Sequence, residues 1–408
     1  MLFTLTRNIF LYCLIFIVLF LEPVSIGGVK FAILWKFIFF GYLLTLVLFY
    51  RRVPKDFFIL LTLILALKNL LSFGAISAPL EPFMALIRML TFPVIIAGFY
   101  VIVKSNQKSI DTLNSIIKHY PYFVSFSCLP FVIGVLEPIS HQVDLESFGV
   151  ESFMFTGVFQ NPHSASINIA FAMLALICII LRDKRKLLIF NSFILIFLLY
   201  CLYKTYARTG LLVFILGCLP ILWSYKLKAR TYIAITLVSI MSFSYVATND
   251  LLMDRLFDKR VNVSGDADFM QLGSGRPLIW KTSFFYYYDS SLDEIFLGVS
   301  ETKLKENNLK ELGLRIFSHN GFLDALAING IVGLVLTITF FIVLKRRLYN
   351  IKNINLKLIG KCFFMGYLAY FVVQGGNYFT IDFLVSILIL VGILERNEKR
   401  KENFNYGS

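Results

Sequence analysis

The chain has 408 residues, of which 58% are hydrophobic and only 16% are charged. A soluble domain is charged at about a quarter of its positions, so this composition excludes an ordinary soluble protein. Long apolar blocks suit lipid, where a helix satisfies every backbone polar group within its own segment. A net charge of +14 can indicate nucleic-acid binding. Most Lys and Arg, however, lie in short breaks between apolar blocks, so we expect membrane lipids and no nucleic acid as partners.

Segments of membrane-spanning length follow one another along the chain. A bilayer core of about 30 Å needs roughly 20 apolar residues in a helix. By this measure we predict an all-α polytopic membrane protein with about 12 transmembrane helices. Nine helices fall within residues 1–247, three within 321–394, and a tail follows at 395–408. The predicted spans lie near residues 8–26, 31–50, 57–75, 84–103, 119–137, 164–181, 187–203, 209–224, 231–247, 321–344, 358–373 and 379–394.

Basic residues predict the orientation of these helices. They cluster in one set of alternate breaks, which includes Arg51-Arg52 and Lys345-Arg346-Arg347, whereas loop 138–163 contains no Lys or Arg. Because basic loops stay in the cytoplasm, both termini are expected there. Loops 138–163 and 248–320 are then outside. The second loop mixes both charge signs, so we expect it to be solvated and partly helical.

The first chemically informative motif is a short outer turn at Tyr206-Ala207-Arg208-Thr209-Gly210, where the eighth span begins. The Arg208 guanidinium would lie at the level of the lipid headgroups. A guanidinium there can bind a diphosphate through paired hydrogen bonds. The alternative is an interfacial Arg that only extends its charge to the membrane surface.

The long loop contains a second basic motif, Gly273-Ser274-Gly275-Arg276-Pro277-Leu278-Ile279-Trp280. We expect a flexible Gly-Ser-Gly approach and a helix that begins at Pro277. Arg276 at such a helix start would combine its charge with unpaired backbone amides and form an anion site. The alternative is a loop Arg that pairs with an Asp. Further along, residues 295–299 are expected to form a buried turn.

A histidine motif, Ser318-His319-Asn320, lies where the long loop enters the tenth span. An imidazole with an ordinary pKa of about 6.5 can accept a proton at neutral pH. Gly330 and Gly333 follow deeper in the span, where small residues let another helix approach closely. The alternative is a histidine in a plain helix-capping turn.

Three further residues are candidates for substrate binding. His163 follows Asn161-Pro162 at a span entrance and could line an outer site. Arg88 and Lys68 lie within predicted spans, where cations are costly and therefore paired or functional. They could line a cavity for an anionic lipid diphosphate. Pairing with Glu81 or Asp382 is the alternative for both.

Metal sites are not expected. Asp266-Ala267-Asp268 imitates the metal motif of sugar-nucleotide enzymes, but it lies in an acidic loop without supporting ligands. All cysteines fall within apolar blocks, so they are interpreted as small buried hydrophobic residues. They are Cys13, Cys128, Cys178, Cys201, Cys218 and Cys362.

The motifs in this order resemble the bacterial O-antigen polymerase and O-antigen ligase family of inner-membrane glycosyltransferases. The resemblance covers roughly residues 155–340. It consists of Gly157 to His163, Ala207 to Gly210, Gly275-Arg276 with Ile279-Trp280, Phe296 to Val299, and His319-Asn320 with Gly330 and Gly333.

The resemblance implies a GT-C-like enzyme that moves a glycan from undecaprenyl diphosphate to a sugar hydroxyl on the periplasmic side of the inner membrane. It implies an inverting reaction without a metal or a cofactor. Arg208 and Arg276 would hold the diphosphate, where fixed cations stabilise the leaving group. His319 would activate the acceptor hydroxyl. Asn320 would contribute to substrate binding.

Several functions remain open. A polymerase joins two lipid-linked glycans, whereas a ligase moves the finished chain to a lipid A-core sugar. A relative that glycosylates proteins is a third option. We favour the polymerase because a chain rich in Phe, Ile and Lys is typical of rapidly diverging antigen genes. From another class, a lipid-linked sugar flippase would also have about twelve spans, but transporters often show paired halves that are not evident in this sequence.

Overall fold

The structure is a computed structural model, and it describes most of the chain in separate stretches. The described residues are 25–26, 29–50, 56–72, 90, 93–101, 109–136, 154–159, 161–181, 188–224, 267–313, 315–374 and 388–395. Arg88, the segment 138–153 of the first outer loop and the predicted ninth span near 231–247 lie outside these residues. The first span, the twelfth span and the tail are described only in part.

Helices make up nearly all of the described residues. They are α1 (Phe31–Tyr50), α2 (Phe57–Leu71), α3 (Ser109–Val132), α4 (Pro162–Ile180), α5 (Leu188–Lys204), α6 (Arg208–Ser224), α7 (Ala267–Tyr288), α8 (Leu292–Leu297), α9 (Glu301–Leu312), α10 (Gly321–Tyr349) and α11 (Ile354–Gln374). Residues 93–101 and 388–395 are also helical.

One short β-hairpin interrupts the helical pattern near the start of the chain. Strand β1 (Ser25–Ile26) pairs antiparallel with β2 (Val29–Lys30). The prediction of a first span reaching residue 26 is therefore wrong at its end. In the sequence, Gly27 and Gly28 separate the two strands, and a Gly-Gly pair between short strands is a hairpin signal that prevails over the apolar pattern.

Three described helices are long and apolar enough to cross a membrane. They are α4, α10 and residues Leu356–Gln374 of α11, and shorter apolar helices include α2, α5 and α6. The prediction of a helical polytopic membrane protein is confirmed at this level. The number of spans stays a prediction. The long outer loop is partly helical as expected, because α7, α8 and α9 lie within it.

The core forms around α11. This helix packs against α6, α4 and α10, while α4 also packs against α3 and α5. Aromatic rings fill the contact between α10 and α11: the Phe322 and Phe371 ring centres are 5.0 Å apart, edge to face, and those of Phe341 and Phe371 are 4.9 Å apart. At the other end, Arg347 in the last turn of α10 forms an ion pair of 2.7 Å with Asp56, the N-cap of α2.

Helix α10 breaks at Gly330, and the outer loop packs into the break. Gly330 has φ 70° and ψ −171° within the helix. A Cβ built on it would lie 2.2 Å from the Phe296 carbonyl oxygen, and a Cβ on Gly298 would lie 2.0 Å from the Ile328 carbonyl oxygen. The Val299 amide donates to the Ala327 carbonyl at 2.8 Å. The two backbones therefore touch directly.

The C-terminal end of α2 holds the same loop from a second direction. Lys68 Nζ donates to the Leu297 carbonyl at 2.7 Å, and the Glu301 amide donates to the Ser72 carbonyl at 3.0 Å. Asn329 Nδ2, beside the break, donates to Asn69 Oδ1 at 2.9 Å. The loop, α2 and α10 thus form one connected unit.

The sequence predicts that Gly330 admits a neighbouring helix. The helix that it admits is the short α8 of the loop, through the backbone at its C-terminal end. The turn at 295–299 is present, although only Val299 within it is buried, while the Phe296 and Leu297 side chains are exposed. Backbone contact replaces side-chain burial as the means of attachment.

We expect Gly330→Ala to destabilise the protein strongly. The new Cβ would meet the Phe296 carbonyl, and the backbone conformation of Gly330 (φ 70°, ψ −171°) is one that residues other than glycine rarely adopt, which adds strain of about 1–3 kcal/mol. Together these effects should lower the free energy of unfolding by roughly 3 kcal/mol, as measured by thermal unfolding in detergent.

Gly313→Ala is the matched control. Gly313 also has φ 70°, but its ψ of 9° places it in the left-handed region that other residues can adopt, and no atom lies within 4 Å of the position that its Cβ would occupy. It should show the strain alone, about 1–2 kcal/mol. Equal losses in the two variants would contradict a close contact at Gly330.

Candidate functional site

Four basic side chains meet where the ends of several helices converge. His163 lies in the first turn of α4, Arg208 begins α6, Arg276 lies in α7, and His319 precedes α10. His163 is within electrostatic range of the other three groups. We call these four side chains the basic cluster. The structure therefore brings together the three catalytic candidates and one of the substrate-binding candidates.

Close packing of α4 against α6 brings His163 and Arg208 into the same region. A Cβ on Gly210 would lie 2.5 Å from the Ser166 Cβ, so only glycine permits this approach. The predicted outer turn is present, since α5 ends at Lys204 and α6 begins at Arg208. Asn161 caps α4 by accepting a hydrogen bond from the Ser164 amide at 2.8 Å.

A tight hydrogen-bonded turn presents His319. The Ser318 amide donates to Asp324 Oδ1 at 2.9 Å, and the Asn320 amide donates to Ser318 Oγ at 3.1 Å. His319 itself has φ 56°, a left-handed conformation that costs free energy in a residue other than glycine. Such strain persists only where the surroundings enforce it. The turn therefore holds the imidazole in one position.

Asn320 is occupied as the N-cap of α10. Its Oδ1 accepts hydrogen bonds from the Phe322 and Leu323 amides, each at 3.1 Å. This is the capping arrangement that the sequence left open as the alternative. A role of Asn320 in substrate binding stays a prediction, and its side-chain oxygen already has two partners.

His319 lies against the last residue of α11. Its Nδ1 is 3.4 Å from the Gln374 carbonyl oxygen. A Cβ on Gly321 would lie 2.5 Å from the Phe371 ring, so glycine permits α10 to start this close to α11. Burial lowers the pKa of His319, the charge of Arg276 lowers it further, and the Gln374 carbonyl partly opposes the shift. The imidazole is therefore neutral near pH 7.

Arg276 lies inside a helix, and the prediction that it begins one is wrong. Helix α7 starts at Ala267, and Pro277 is within it. The Gly-Ser-Gly segment does not end the helix, although proline removes one backbone hydrogen bond. The proposed contribution of unpaired helix-start amides at Arg276 is thus withdrawn. Its guanidinium remains as the anion-binding group.

The Arg276 guanidinium contacts neutral oxygens. It donates to the Val373 carbonyl and, at 3.4 Å, to Gln374 Oε1. In the part of the chain that the structure describes, no carboxylate forms an ion pair with Arg276. Burial lowers the pKa of Arg276, but a guanidinium titrates so far above neutral that its charge remains. Among the described residues, therefore, no carboxylate neutralises this charge.

Gln374 is a site residue that sequence reasoning missed. Its Oε1 accepts from Arg276 and, at 3.2 Å, from Thr209 Oγ1, while its carbonyl faces His319. The available signal was a polar residue at the end of an apolar span. Asp324, which anchors the His319 turn, was also missed.

The other substrate-binding candidates have different positions. Lys68 contacts the loop at Leu297 and donates to Ser72 Oγ at 2.8 Å, so its observed partners belong to the loop attachment. Neither Glu81 nor Asp382, its predicted alternatives, lies among the described residues, and Arg88 does not either. Roles of Lys68 and Arg88 in substrate binding stay predictions.

No group of three or more His, Cys, Asp or Glu side chains that could hold a metal ion occurs within the described ranges. Asp266 of the acidic motif lies outside them, whereas Asp268 is at the start of α7. The cysteines whose burial is described are buried, except that Cys218 is partly exposed. All of them carry free thiols, in agreement with their interpretation as small hydrophobic residues.

Comparison with known families adds a finding independent of this geometry. Residues 193–338 match the O-antigen ligase family. The match covers a little over a third of the chain and confirms the resemblance seen in the motifs. No protein among the curated ones matches the chain.

The O-antigen ligase segment contains Arg208, Arg276 and His319, whereas His163 and Gln374 lie outside it. It also contains the break at Gly330. The family match supports an enzyme of the glycosyl-transferring ligase or polymerase type. Membrane-spanning helices and the family together identify a membrane protein.

The chemistry available to this site is anion binding beside a proton acceptor. Two guanidinium groups can bind a diphosphate through charge-assisted hydrogen bonds. A carbonyl oxygen only accepts, so a hydrogen bond to Gln374 requires the proton on His319 Nδ1. The Nε2 lone pair can then receive a proton from a hydroxyl.

We expect His319 to make stability depend on pH. Its pKa is lowered in the folded protein, so the unfolded chain binds more protons as the pH falls below about 6.5. The free energy of unfolding must therefore fall with pH until the folded-state pKa is reached. Thermal unfolding in detergent at about pH 7.5 and about pH 5.5 measures this loss.

His319→Gln should reduce the difference between the two melting temperatures, because the titrating group is gone. An undiminished difference in the His319 variant would refute a lowered His319 pKa.

Proposed function

We propose that the protein is a surface-polysaccharide (O-antigen) polymerase of the bacterial inner membrane. It transfers a glycan from undecaprenyl diphosphate to a sugar hydroxyl of another lipid-linked repeat unit on the periplasmic side. The observation that carries the proposal is the convergence of Arg208, Arg276 and His319 from distant parts of the sequence into one cluster at the helix ends. The O-antigen ligase match over this segment supports it.

In this proposal the two arginines bind the diphosphate of the donor. Negative charge grows on the diphosphate as the bond to the anomeric carbon breaks. Fixed cations are most effective where such charge develops, because they need no reorganisation during the reaction. The neutral partners of Arg276 leave its charge available for this purpose. His163, close to the same groups, would contribute to donor binding.

His319 acts on the acceptor. A hydroxyl that attacks the anomeric carbon must lose its proton, and a neutral imidazole can receive it. The lowered pKa of His319 keeps the imidazole in the required form at neutral pH. One direct displacement inverts the anomeric configuration. No metal ion or cofactor takes part in this scheme.

Two other functions share part of this support. A ligase would use the same donor site and transfer the glycan to lipid A-core, so the basic cluster serves both reactions equally. Composition alone favours the polymerase. A lipid-linked sugar flippase would also bind a diphosphate, but it has no use for a proton acceptor beside the cations.

Replacing any of the three residues should nearly abolish transfer. We expect Arg208→Gln, Arg276→Gln and His319→Gln each to lower the rate about 100-fold or more, because each removes a group that acts in the transition state. The readout is the polysaccharide ladder restored by each variant in a deletion strain, with its amount in the membrane checked by immunoblot.

Arg315→Gln is the matched control. Arg315 is an exposed arginine only four residues before His319 in the sequence. Its replacement removes a positive charge from the loop that contains Arg276. The polysaccharide ladder should nevertheless stay intact. A normal ladder from one of the three cluster variants would remove that residue from the mechanism.

A deletion strain separates the candidate functions. If the gene encodes a polymerase, its deletion leaves lipid A-core that carries a single repeat unit. Gels of surface polysaccharide would show this product. Bare core with long polymer accumulating on the lipid carrier would identify a ligase instead. An unchanged ladder would contradict both and favour the transporter.

A further inference from the structure

The last residue of α11 connects three elements of the site. The Gln374 side chain accepts hydrogen bonds from Arg276 in α7 and Thr209 in α6. Its backbone carbonyl faces Nδ1 of His319, before α10. No other described residue is seen to contact both Arg276 and His319 through hydrogen bonds.

Gln374 holds Arg276 without cancelling its charge. An arginine needs fixed partners to keep one orientation, and a carboxylate would bind it more strongly than an amide does. A carboxylate would also neutralise the guanidinium toward a ligand. The amide oxygen and the Val373 carbonyl supply direction without a negative charge. A neutral amide is therefore the side-chain group that suits an arginine whose charge has to bind an anion.

The Thr209 hydroxyl restricts the amide in turn. Both Arg276 and Thr209 donate to the same Oε1, and Arg276 has no acceptor, so this atom must be the oxygen of the amide. Thr209 is buried next to Arg208. The orientation of Gln374 is thereby tied to the helix that supplies the second cation.

We propose that Gln374 is the positioning residue of the donor site: its side chain aims the Arg276 guanidinium at a diphosphate, and its carbonyl selects the Nδ1–H tautomer of His319. The proposal rests on the function proposed above. It also explains why α11, outside the O-antigen ligase match, reaches into the cluster.

The test compares Gln374→Glu with Gln374→Ala by binding of undecaprenyl diphosphate, which carries the diphosphate without any sugar. The purified full-length protein in detergent is titrated with this lipid. Glu has the shape of Gln, so a purely structural role predicts that Gln374→Glu is the milder change. If Gln374 instead positions Arg276 as a neutral amide, Gln374→Glu should weaken binding more than Gln374→Ala does.

We expect Gln374→Ala to raise the Kd about tenfold, through loss of one hydrogen bond to a charged group. Gln374→Glu should raise it roughly 100-fold, because the new carboxylate pairs with Arg276 and repels the diphosphate. Asn307→Asp, which adds the same charge on α9, is the control and should bind as the wild type does.

The outcomes are distinguishable. If the wild type binds and Gln374→Glu binds equally well, or better than Gln374→Ala, the role of Gln374 is overturned and the proposed function stands. Absence of binding by the wild type overturns the diphosphate donor and this inference with it. Should Gln374→Glu fail to fold, Gln374→Asp against Gln374→Asn gives the same comparison of charge at equal size.

The pH profile gives a second readout on polymer formation. A carboxylate at position 374 would favour the imidazolium of His319, so the acid limb of the activity of Gln374→Glu should move to higher pH. In Gln374→Ala the backbone carbonyl is retained, so the limb should stay in place. An unshifted limb in the Glu variant would overturn the proposed link between residue 374 and the ionisation of His319.

Discussion

Backbone pairing between the outer loop and the broken helix α10 is the contact on which the rest of the structure depends. A helix within a membrane protein cannot leave backbone groups unsatisfied without a large cost. The break at Gly330 interrupts the helical hydrogen bonds, and the Val299 amide supplies a partner for the Ala327 carbonyl. Lys68 holds the same loop through the Leu297 carbonyl. Loop and membrane helices therefore share one frame, and the first turn of α10, with His319 before it, is oriented by that frame.

The basic cluster contains two arginine side chains, and the described partners of Arg276 are neutral oxygens. Cations close together repel each other; burial lowers the pKa of His319, and the charge of Arg276 lowers it further. A carboxylate would relieve the repulsion but would also occupy the position of an anionic ligand. In the structure, carbonyl and amide oxygens at the end of α11 contact Arg276 and His319 instead. Binding of an anion would then relieve an electrostatic cost already present in the protein.

Much of the helical pattern could be predicted because hydropathy is a local property. The predicted spans near 187–203 and 209–224 agree with α5 and α6 to within one residue at each end. Predictions from the local sequence were wrong where two structural preferences of the same segment compete. Pro277 suggested a helix start, yet it lies inside α7, and the apolar pattern of the first span hid the short β-hairpin.

The candidate site was predictable only in part. Arg208, Arg276 and His319 could be found because each lies in a motif of its own, and the motifs occur in a telling order. Gln374 could not be found in this way, because its importance depends on contacts with residues that are 55, 98 and 165 positions away in the sequence. The role of Gly330 could not be predicted for the same reason, because its partner is the backbone of the loop at Phe296 and Gly298.

Attachment through backbone atoms also affects how the outer surface can change over evolutionary time. The side chains of Phe296 and Leu297 are 54% and 58% exposed, although their carbonyls take part in the docking. Substitutions at these positions can alter the surface without disturbing the frame beneath. At Gly298 and Gly330, in contrast, the facing backbone leaves no room for a side chain.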